Sequence, residues 1–231
     1  MSKQTREVAL DTETTGLNFV GGDRVIEIGC VELINHLPTG KIYQTYINPE
    51  SKKVEEGAFR THKIDNNFLK NQPLFRDKVE EFLEFLSEDA LVIHNAQFDL
   101  GFINNEMKLW GKLPLKHPIV DTLSLARTTI GTGPVNLDAL CKKFNISIAE
   151  RKIHGALLDS TLLADVYIEL LGGRQRNLNF LNNKETGNIK KTPANRMSKK
   201  SKTSAPTKEE IDAHKSFVKT IKSALWGEHS Y

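Results

Sequence analysis

The order of apolar patterns along the first 173 residues is the feature that most constrains the fold. Three strand-like segments come first, at residues 7–11, 24–34 and 42–48, and their close succession favours an antiparallel meander. Helical spacing of apolar residues then alternates with short strand-like segments at 90–94 and 119–121. Strands followed by such an alternation predict an α/β domain, in which helices pack on a mixed sheet.

Four helices are expected around this sheet, because apolar residues recur at helical spacing in four places. They lie near residues 79–86, from Phe98 onward, near 137–144 and over 158–171. The two cysteines, Cys30 and Cys141, each lie inside an apolar pattern. We therefore predict two buried free thiols, as in a protein of a reducing compartment.

The chain changes character near Gly172 and Gly173, where the core pattern stops. From residue 174 onward there are 13 Lys and Arg against 5 Asp and Glu, whereas the preceding part has 19 against 24. Residues 182–207 contain almost nothing to bury, which predicts a flexible linker. Thr207 and Glu210 fit a capping box, and an apolar stripe follows from Ile211 to Leu225. We expect a domain at 1–173, a flexible basic linker at 174–207 and a C-terminal helix within 208–231.

Several classes of protein are disfavoured by what the sequence lacks. No apolar run is long enough to cross a bilayer, and the first ten residues do not form a signal peptide. We therefore expect a cytoplasmic protein without membrane contact. No Cys/His spacing predicts a zinc site. An acidic domain that handles nucleic acid would need metal ions to tolerate phosphate.

Two carboxylates, Asp11 and Glu13, stand two residues apart at the end of the first predicted strand. At strand spacing their side chains point to the same side, where they repel each other unless a cation lies between them. An exposed polar turn is the better explanation of such a pair when it stands alone.

Two further aspartates fall on helix faces that should be buried. Asp159 shares a stripe with Leu162 and Val166, and Asp99 shares one with Phe102. A buried carboxylate needs a cation or dense hydrogen bonding. A position at the edge of the core, or a charge at a helix N-terminus, would also account for each aspartate.

One histidine precedes the last of these helices. His154 lies five residues before Asp159, about 500° around a helix, so it should come from the preceding loop rather than from the same face. A loop histidine can accept a proton from water near neutral pH, although most isolated ones are surface residues.

These residues stand in three motifs that resemble the DEDD-type exonucleases with a histidine base. The motifs are VALDTETTG with Asp11 and Glu13, HNAQFD ending on Asp99, and HGALLD with His154 and Asp159. The segments RVIEIGCVEL, NLDALCKKF and HGALLDSTLLADVYIELLGG are similar to the family of proofreading (epsilon) subunits of bacterial DNA polymerase III. The resemblance covers residues 6–173 and implies a ribonuclease H-like fold.

The resemblance also implies two-metal phosphodiester hydrolysis with Mg²⁺ or Mn²⁺. Asp11, Glu13 and Asp159 would hold one cation, Asp11 and Asp99 would serve the second, and His154 would take the proton of water. The 3′ end of the substrate would contact the backbone near Thr12–Thr14, with Asp11, Glu13 and Asp159 beside it. His62 matches a position that contacts the terminal nucleotide, and Glu56 is a candidate for a nearby family glutamate where Gly57 aligns.

The tail suggests partners in replication. Gln175, Leu178 and Phe180 resemble the short peptides that dock into the bacterial sliding clamp, although a linker with two stray apolar residues would look the same. The apolar stripe from Ile211 to Leu225 packs either on its own domain or on a partner, which the resemblance implies is the catalytic (alpha) subunit of DNA polymerase III.

The favoured function is proofreading of a single-stranded or frayed DNA 3′ end by 3′→5′ exonuclease activity. One alternative is a ribonuclease of the same superfamily that trims RNA 3′ ends, because the same five residues would serve it. Another is a polymerase-assembly module without activity. Such a module would have no need for core-facing aspartates, and this disfavours it.

Overall fold

The structure is a computed structural model that describes residues 4–148, 153–172 and 206–220. These residues belong to two separate units, of which the first holds the sheet and seven helices and the second is one helix. Each unit is considered by itself below.

A five-stranded mixed sheet is the centre of the first unit, in the order β3-β2-β1-β4-β5. The strands β1, β2 and β3 form an antiparallel meander, whereas β4 and β5 run parallel to β1. The predicted mixed sheet is therefore confirmed. Their bounds are β1 Arg6–Thr14, β2 Val25–Ile34, β3 Leu37–Tyr46, β4 Ala90–Ile93 and β5 Ile119–Asp121.

Helices cover both faces of this sheet, and the four that helical spacing predicts are present. Three short ones, α1, α2 and α5, were not predicted. The helices of the first unit are α1 Glu56–His62, α2 Asn66–Leu69, α3 Phe75–Leu86, α4 Ala96–Leu109, α5 Thr122–Ile130, α6 Leu137–Lys143 and α7 Ala156–Leu170.

Two apolar cores lie on opposite faces of the sheet, and β1 contributes to both. Val8 and Leu10 pack with residues of α3 and α4, whereas Ala9 packs with residues of α6 and α7. Because side chains alternate along a strand, Asp11 and Glu13 continue the α7 face and Thr12 the α4 face. The end of β1 thus presents polar groups to helices on both sides of the sheet.

The second unit is helix α8, Lys208–Lys219. The predicted capping box is present, with the Thr207 hydroxyl accepting from the Glu210 N–H and the Glu210 carboxylate accepting from the Thr207 N–H. Within the described ranges, no helix combines the length and apolar character needed to span a membrane. Cys30 and Cys141 are buried and are not joined in a disulfide, as predicted.

Candidate active site

Carboxylates crowd together where β1 ends and faces β2. Glu13 lies directly opposite Glu27 in the antiparallel pairing, and Asp11 lies opposite Gly29. Like charges opposite each other on neighbouring strands repel. This arrangement is stable only if hydrogen-bond donors or a cation offset the repulsion.

Helix α7 adds an aspartate to this crowded face, and the loop before it adds a histidine. One ligand atom each of Glu13, His154 and Asp159 lies within 4.8 Å of the others. His154 is in the loop before α7, as predicted, and its Nδ1 lies 3.1 Å from Oδ2 of Asp159. Asp159 itself is 4% exposed, which confirms its predicted burial. The backbone N–H of His154 donates to the backbone carbonyl of Thr61. This bond connects the loop to α1.

Helix α7 reaches this position because its first residues touch β2. A Cβ at Gly29 would lie 2.2 Å from the carbonyl carbon of Ala156, closer than real atoms approach, so only glycine fits here. The Ser160 hydroxyl donates to the Gly29 carbonyl at 2.8 Å. The Glu27 carboxylate accepts from the Ala156 N–H at 3.2 Å. These contacts place Asp159 above the end of β1.

Asp99 approaches from the other side of the sheet, on the first turn of α4. It is 3% exposed, as its helical position predicts, and accepts a hydrogen bond of 2.6 Å from the Thr12 hydroxyl. Burial raises the pKa of Asp99 to about 7, although hydrogen bonds from Thr12 and the backbone oppose the increase. Thr12 therefore links Asp99 to the strand that carries Asp11 and Glu13.

His62 is buried at the end of α1 and has an unused donor. Its Nδ1 accepts from the Ile64 N–H at 3.0 Å, which places the ring hydrogen on Nε2. Among the described residues Nε2 makes no hydrogen bond of good geometry, although the Thr14 backbone lies nearby. Burial lowers the pKa of His62, and the neighbouring His154 adds to the decrease. A neutral ring can donate Nε2–H to a ligand oxygen.

The loop after β1 and the start of α1 lie side by side. The Thr14 hydroxyl donates to the Gly16 carbonyl at 2.6 Å, and the Glu55 N–H donates to the Thr15 carbonyl at 2.8 Å. The structure places Glu56 in solvent, where it pairs with Arg60. Glu55 instead lies against the loop, since its carboxyl carbon is 2.7 Å from where a Cβ of Gly16 would be.

The donor set fits divalent cations. The structure brings Glu13, His154 and Asp159 together, whereas Asp99 lies on the other side of β1 against Thr12, and Asp11 stands two residues before Glu13 on the strand. Hard cations such as Mg²⁺ and Mn²⁺ prefer oxygen ligands. Glu13 and Asp159 bring two carboxylates close together and Asp99 is buried, and a cation stabilises carboxylates in both situations.

Sequence reasoning missed Glu27 and Asp121, whose carboxylates accept hydrogen bonds from the Ala156 and Asn95 N–H groups at the starts of α7 and α4. A signal was available for Glu27, because a charge stands directly between Ile26 and Ile28 in a largely apolar strand. The peptide of Gln175, Leu178 and Phe180 lies outside the described residues.

Comparison with known proteins identifies the family that this chain resembles. An exonuclease family model, RNase_T, matches residues 8–167. The DNA polymerase III subunit epsilon of Rickettsia felis is 42% identical over 222 residues, which cover 94% of this chain and 96% of that protein. The corresponding subunit of Salmonella typhimurium is 37% identical over 238 residues, with 96% and 97% covered.

Solved structures share the fold at lower identity. The nuclease domain of 3′hExo, a DEDDh family member bound to rAMP, has a TM-score of 0.65 at 16% identity, covering 74% of this chain and 93% of that one. Exonuclease X in complex with 5′ overhanging duplex DNA has a TM-score of 0.56 at 21% identity, covering 72% and 90%. The predicted ribonuclease H-like fold is confirmed by these likenesses.

Proposed function

The chain belongs to the exonuclease family, among the epsilon subunits of DNA polymerase III, and we propose that Asp11, Glu13, Asp99, Asp159 and His154 form its active site. It is a nuclease that removes nucleotides from DNA 3′ ends in proofreading. The observation that carries the assignment of the site is the cluster of Glu13, His154 and Asp159 at the end of β1.

Members of this family use divalent metal ions. We assign Asp11, Glu13 and Asp159 to one cation and Asp11 with Asp99 to a second, either Mg²⁺ or Mn²⁺. When bound, the cations lower the pKa of water and neutralise charge on the scissile phosphate. The crowding of Glu13 against Glu27 and the burial of Asp99 support this assignment, because each carboxylate gains from a cation beside it.

His154 is the proposed general base. A ring hydrogen on Nδ1, donated to Asp159 at 3.1 Å, puts the lone pair on Nε2, which is the atom that can accept a proton. The tautomer is inferred from this contact. The side chain is 41% exposed, so water reaches the ring and the proton can leave to solvent. Asp159 thus orients the base as well as binding a cation.

His62 and the loop after β1 are proposed to hold the terminal nucleotide. The buried Nε2–H of His62 is a donor for a phosphate or sugar oxygen, and its lowered pKa keeps the ring neutral near pH 7. The backbone of Thr12 and Thr14 lies beside it. Glu55, rather than the solvent-facing Glu56, is positioned against this loop and is the better candidate for a sugar contact.

Membership of the family supports a polymerase complex and DNA as the setting in which the chain acts. We propose that α8, whose Phe217 is 65% exposed, binds the catalytic (alpha) subunit. The peptide with Gln175, Leu178 and Phe180 is proposed to bind the sliding clamp. Such a protein works beside the chromosome, in the cytoplasm.

Degradation of matched 5′-labelled DNA and RNA oligonucleotides, with and without Mg²⁺ or Mn²⁺, tests the function. We expect metal-dependent shortening of single-stranded DNA from the 3′ end. Loss of activity in Asp11→Ala and Asp159→Ala, with the fold intact by circular dichroism, would support the site. Retained activity in either variant would refute it, and preferential RNA degradation would favour the ribonuclease alternative.

Replacement of the base should have a more selective effect. We expect His154→Ala to lower kcat by about 10²–10⁴-fold while Mn²⁺ still binds, because a general base typically contributes that factor. Calorimetric titration of Mn²⁺ provides the second measurement. An unchanged kcat would remove His154 as the base.

A further inference from the structure

The two buried aspartates occupy equivalent places in their helices. Asp99 is the fourth residue of α4, and Asp159 is the fourth residue of α7. Neither helix is capped by its own N-cap side chain, since Asn95 makes no such bond and Gly155 has no side chain. The first N–H groups of both helices must therefore find acceptors elsewhere.

A glutamate from the neighbouring strand supplies the acceptor for α7. Glu27 of β2 is 1% exposed, and its Oε2 accepts from the Ala156 N–H at 3.2 Å. Its Oε1 accepts from the Gln44 amide at 2.7 Å. With both oxygens engaged in these bonds, Glu27 is suited to hold the helix rather than to bind a cation. A carboxylate at a helix N-terminus also gains from the helix dipole.

An aspartate from the last strand does the same for α4. Oδ1 of Asp121, the final residue of β5, accepts from the Asn95 N–H at 3.1 Å and from the Leu123 N–H at 3.0 Å. Its Oδ2 accepts from the Ser124 hydroxyl at 2.9 Å. Asp121 therefore caps α5 and at the same time ties it to the start of α4.

We propose that Glu27 and Asp121 are positioning residues, which set the places of Asp159 and Asp99 by holding the N-termini of α7 and α4 from neighbouring strands. Metal sites require ligands placed to within about 0.5 Å, and the groups behind the ligands set that placement. Asp159 is three residues beyond the anchored Ala156 N–H, and Asp99 is four residues beyond the anchored Asn95 N–H, so a shift of either helix start moves the carboxylate. The inference rests on the proposed function, because it presumes that both aspartates bind cations.

Calorimetric titration of the full-length protein with Mn²⁺ tests the inference. We expect Glu27→Ala and Asp121→Ala to raise the Kd for Mn²⁺ about 10- to 100-fold, the usual effect of losing a group that orients a metal ligand. The Mn²⁺ concentration for half-maximal DNA degradation should rise in proportion, while KM for DNA changes little. Saturating Mn²⁺ should restore much of kcat.

Milder variants keep the test decisive if the alanine variants do not fold. Glu27→Gln and Asp121→Asn retain one acceptor oxygen and the shape of the side chain. One or two hydrogen bonds are lost in each, so we expect a Kd for Mn²⁺ raised roughly two- to tenfold. A Kd equal to that of the wild type in these folded variants would overturn the inference.

Two matched control variants distinguish an effect on the position of the metal ligands from a general loss of protein stability. Glu7 is also a buried strand glutamate, bonded to Tyr167 at 2.8 Å and His36 at 2.6 Å, but it stands at the opposite end of β1. Asn136 caps α6 by accepting from the Ala139 N–H at 2.8 Å. Glu7→Ala and Asn136→Ala should lower Tm and leave the Kd for Mn²⁺ unchanged.

The outcomes distinguish this inference from the proposed function. If the Glu27 and Asp121 variants match the two controls in Mn²⁺ affinity, the positioning role is wrong and the proposed function stands. If the wild type binds no Mn²⁺, or Asp159→Ala binds it as tightly, the metal assignment fails and the inference fails with it.

Discussion

The N-termini of α7 and α4 bring aspartates to the same strand end, but they are packed in different ways. Helix α7 meets β2 backbone to backbone, since a Cβ at Gly29 would lie 2.2 Å from the carbonyl carbon of Ala156. Helix α4 is packed through side chains. A Cβ at Gly101 would lie 2.5 Å from the ring of Phe19, which itself packs edge-on against Phe102.

The difference matters because two backbones in contact cannot move apart without shifting the helix, whereas an aromatic side chain can rotate away. The two sides also differ in the solvent exposure of their proposed site residues. His154 on the α7 side is 41% exposed, and Asp99 on the α4 side is buried beneath the Thr12 hydroxyl. The helix beside the proposed base is thus held by the more rigid contact.

The largest expected effect comes from adding a methyl group at Gly29, and the matching change at Gly101 should have a smaller effect. Gly29→Ala should lower the free energy of unfolding by about 3 kcal/mol or more and abolish exonuclease activity, because α7 must move off β2. Gly101→Ala should cost about 1 kcal/mol, since Phe19 can turn aside. Urea unfolding followed by circular dichroism measures both changes.

A third glycine provides the control for this pair. A Cβ at Gly57, inside α1, would have no atom within 4 Å. Gly57→Ala should therefore be neutral or stabilising by up to about 1 kcal/mol, through helix propensity. The comparison between the two helices breaks down if Gly101→Ala destabilises the protein as much as Gly29→Ala does.

The parts of the site that follow a local period could be predicted from the sequence. The burial of Asp99 and Asp159 was predictable because apolar residues three and four positions away mark the face that turns inward. The loop position of His154 followed from its distance to Asp159 along the helix. Both arguments need only the geometry of a single element.

The features that could not be predicted are of two kinds. Some depend on contacts between residues far apart in the chain, and others lie in segments whose apolar residues follow no helical or strand period. The bond from Ala156 to Glu27 spans 129 residues and depends on where α7 lands on β2. Strand β3 begins at Leu37 rather than at the predicted residue 42. The prediction missed this start because residues 37–42 are all exposed and show no alternation of apolar and polar side chains. Helix α1 buries only His62, so no apolar stripe marks it.

A smaller effect is expected from the hydroxyl that reaches Asp99. Thr12→Val keeps the shape of a strand residue but removes a donor to a buried carboxylate, a bond of about 1.5–3 kcal/mol when the acceptor is charged. We expect kcat to fall about 10- to 100-fold, with weaker Mn²⁺ binding. Thr12→Ser restores the donor and should restore most of the activity. Equal activity of the valine and serine variants would show that Asp99 does not depend on this bond.

The smallest effect is a difference in how the two anchoring carboxylates respond to pH. Partial burial alone would raise the pKa of Asp121, but hydrogen bonds from Ser124, Leu123 and the start of α4 lower it below 3.8. Its stabilisation is therefore complete above that pH and is lost as the pH falls through the lowered value. Burial raises the pKa of Glu27 above 4.5, against the bonds from Gln44 and Ala156.

Glu27 should accordingly stabilise the fold most below pH 4.5, and that contribution is lost as the pH rises through its raised pKa. Thermal unfolding in chelator-containing buffer measures both effects, each on the order of 1 kcal/mol. Relative to the wild type, Asp121→Asn should flatten the loss of Tm on acidification, and Glu27→Gln should flatten the loss as the pH is raised. If both variants changed Tm in the same pH range, Glu27 and Asp121 would respond to pH in the same way. The two helices would then differ only in their packing at Gly29 and Gly101.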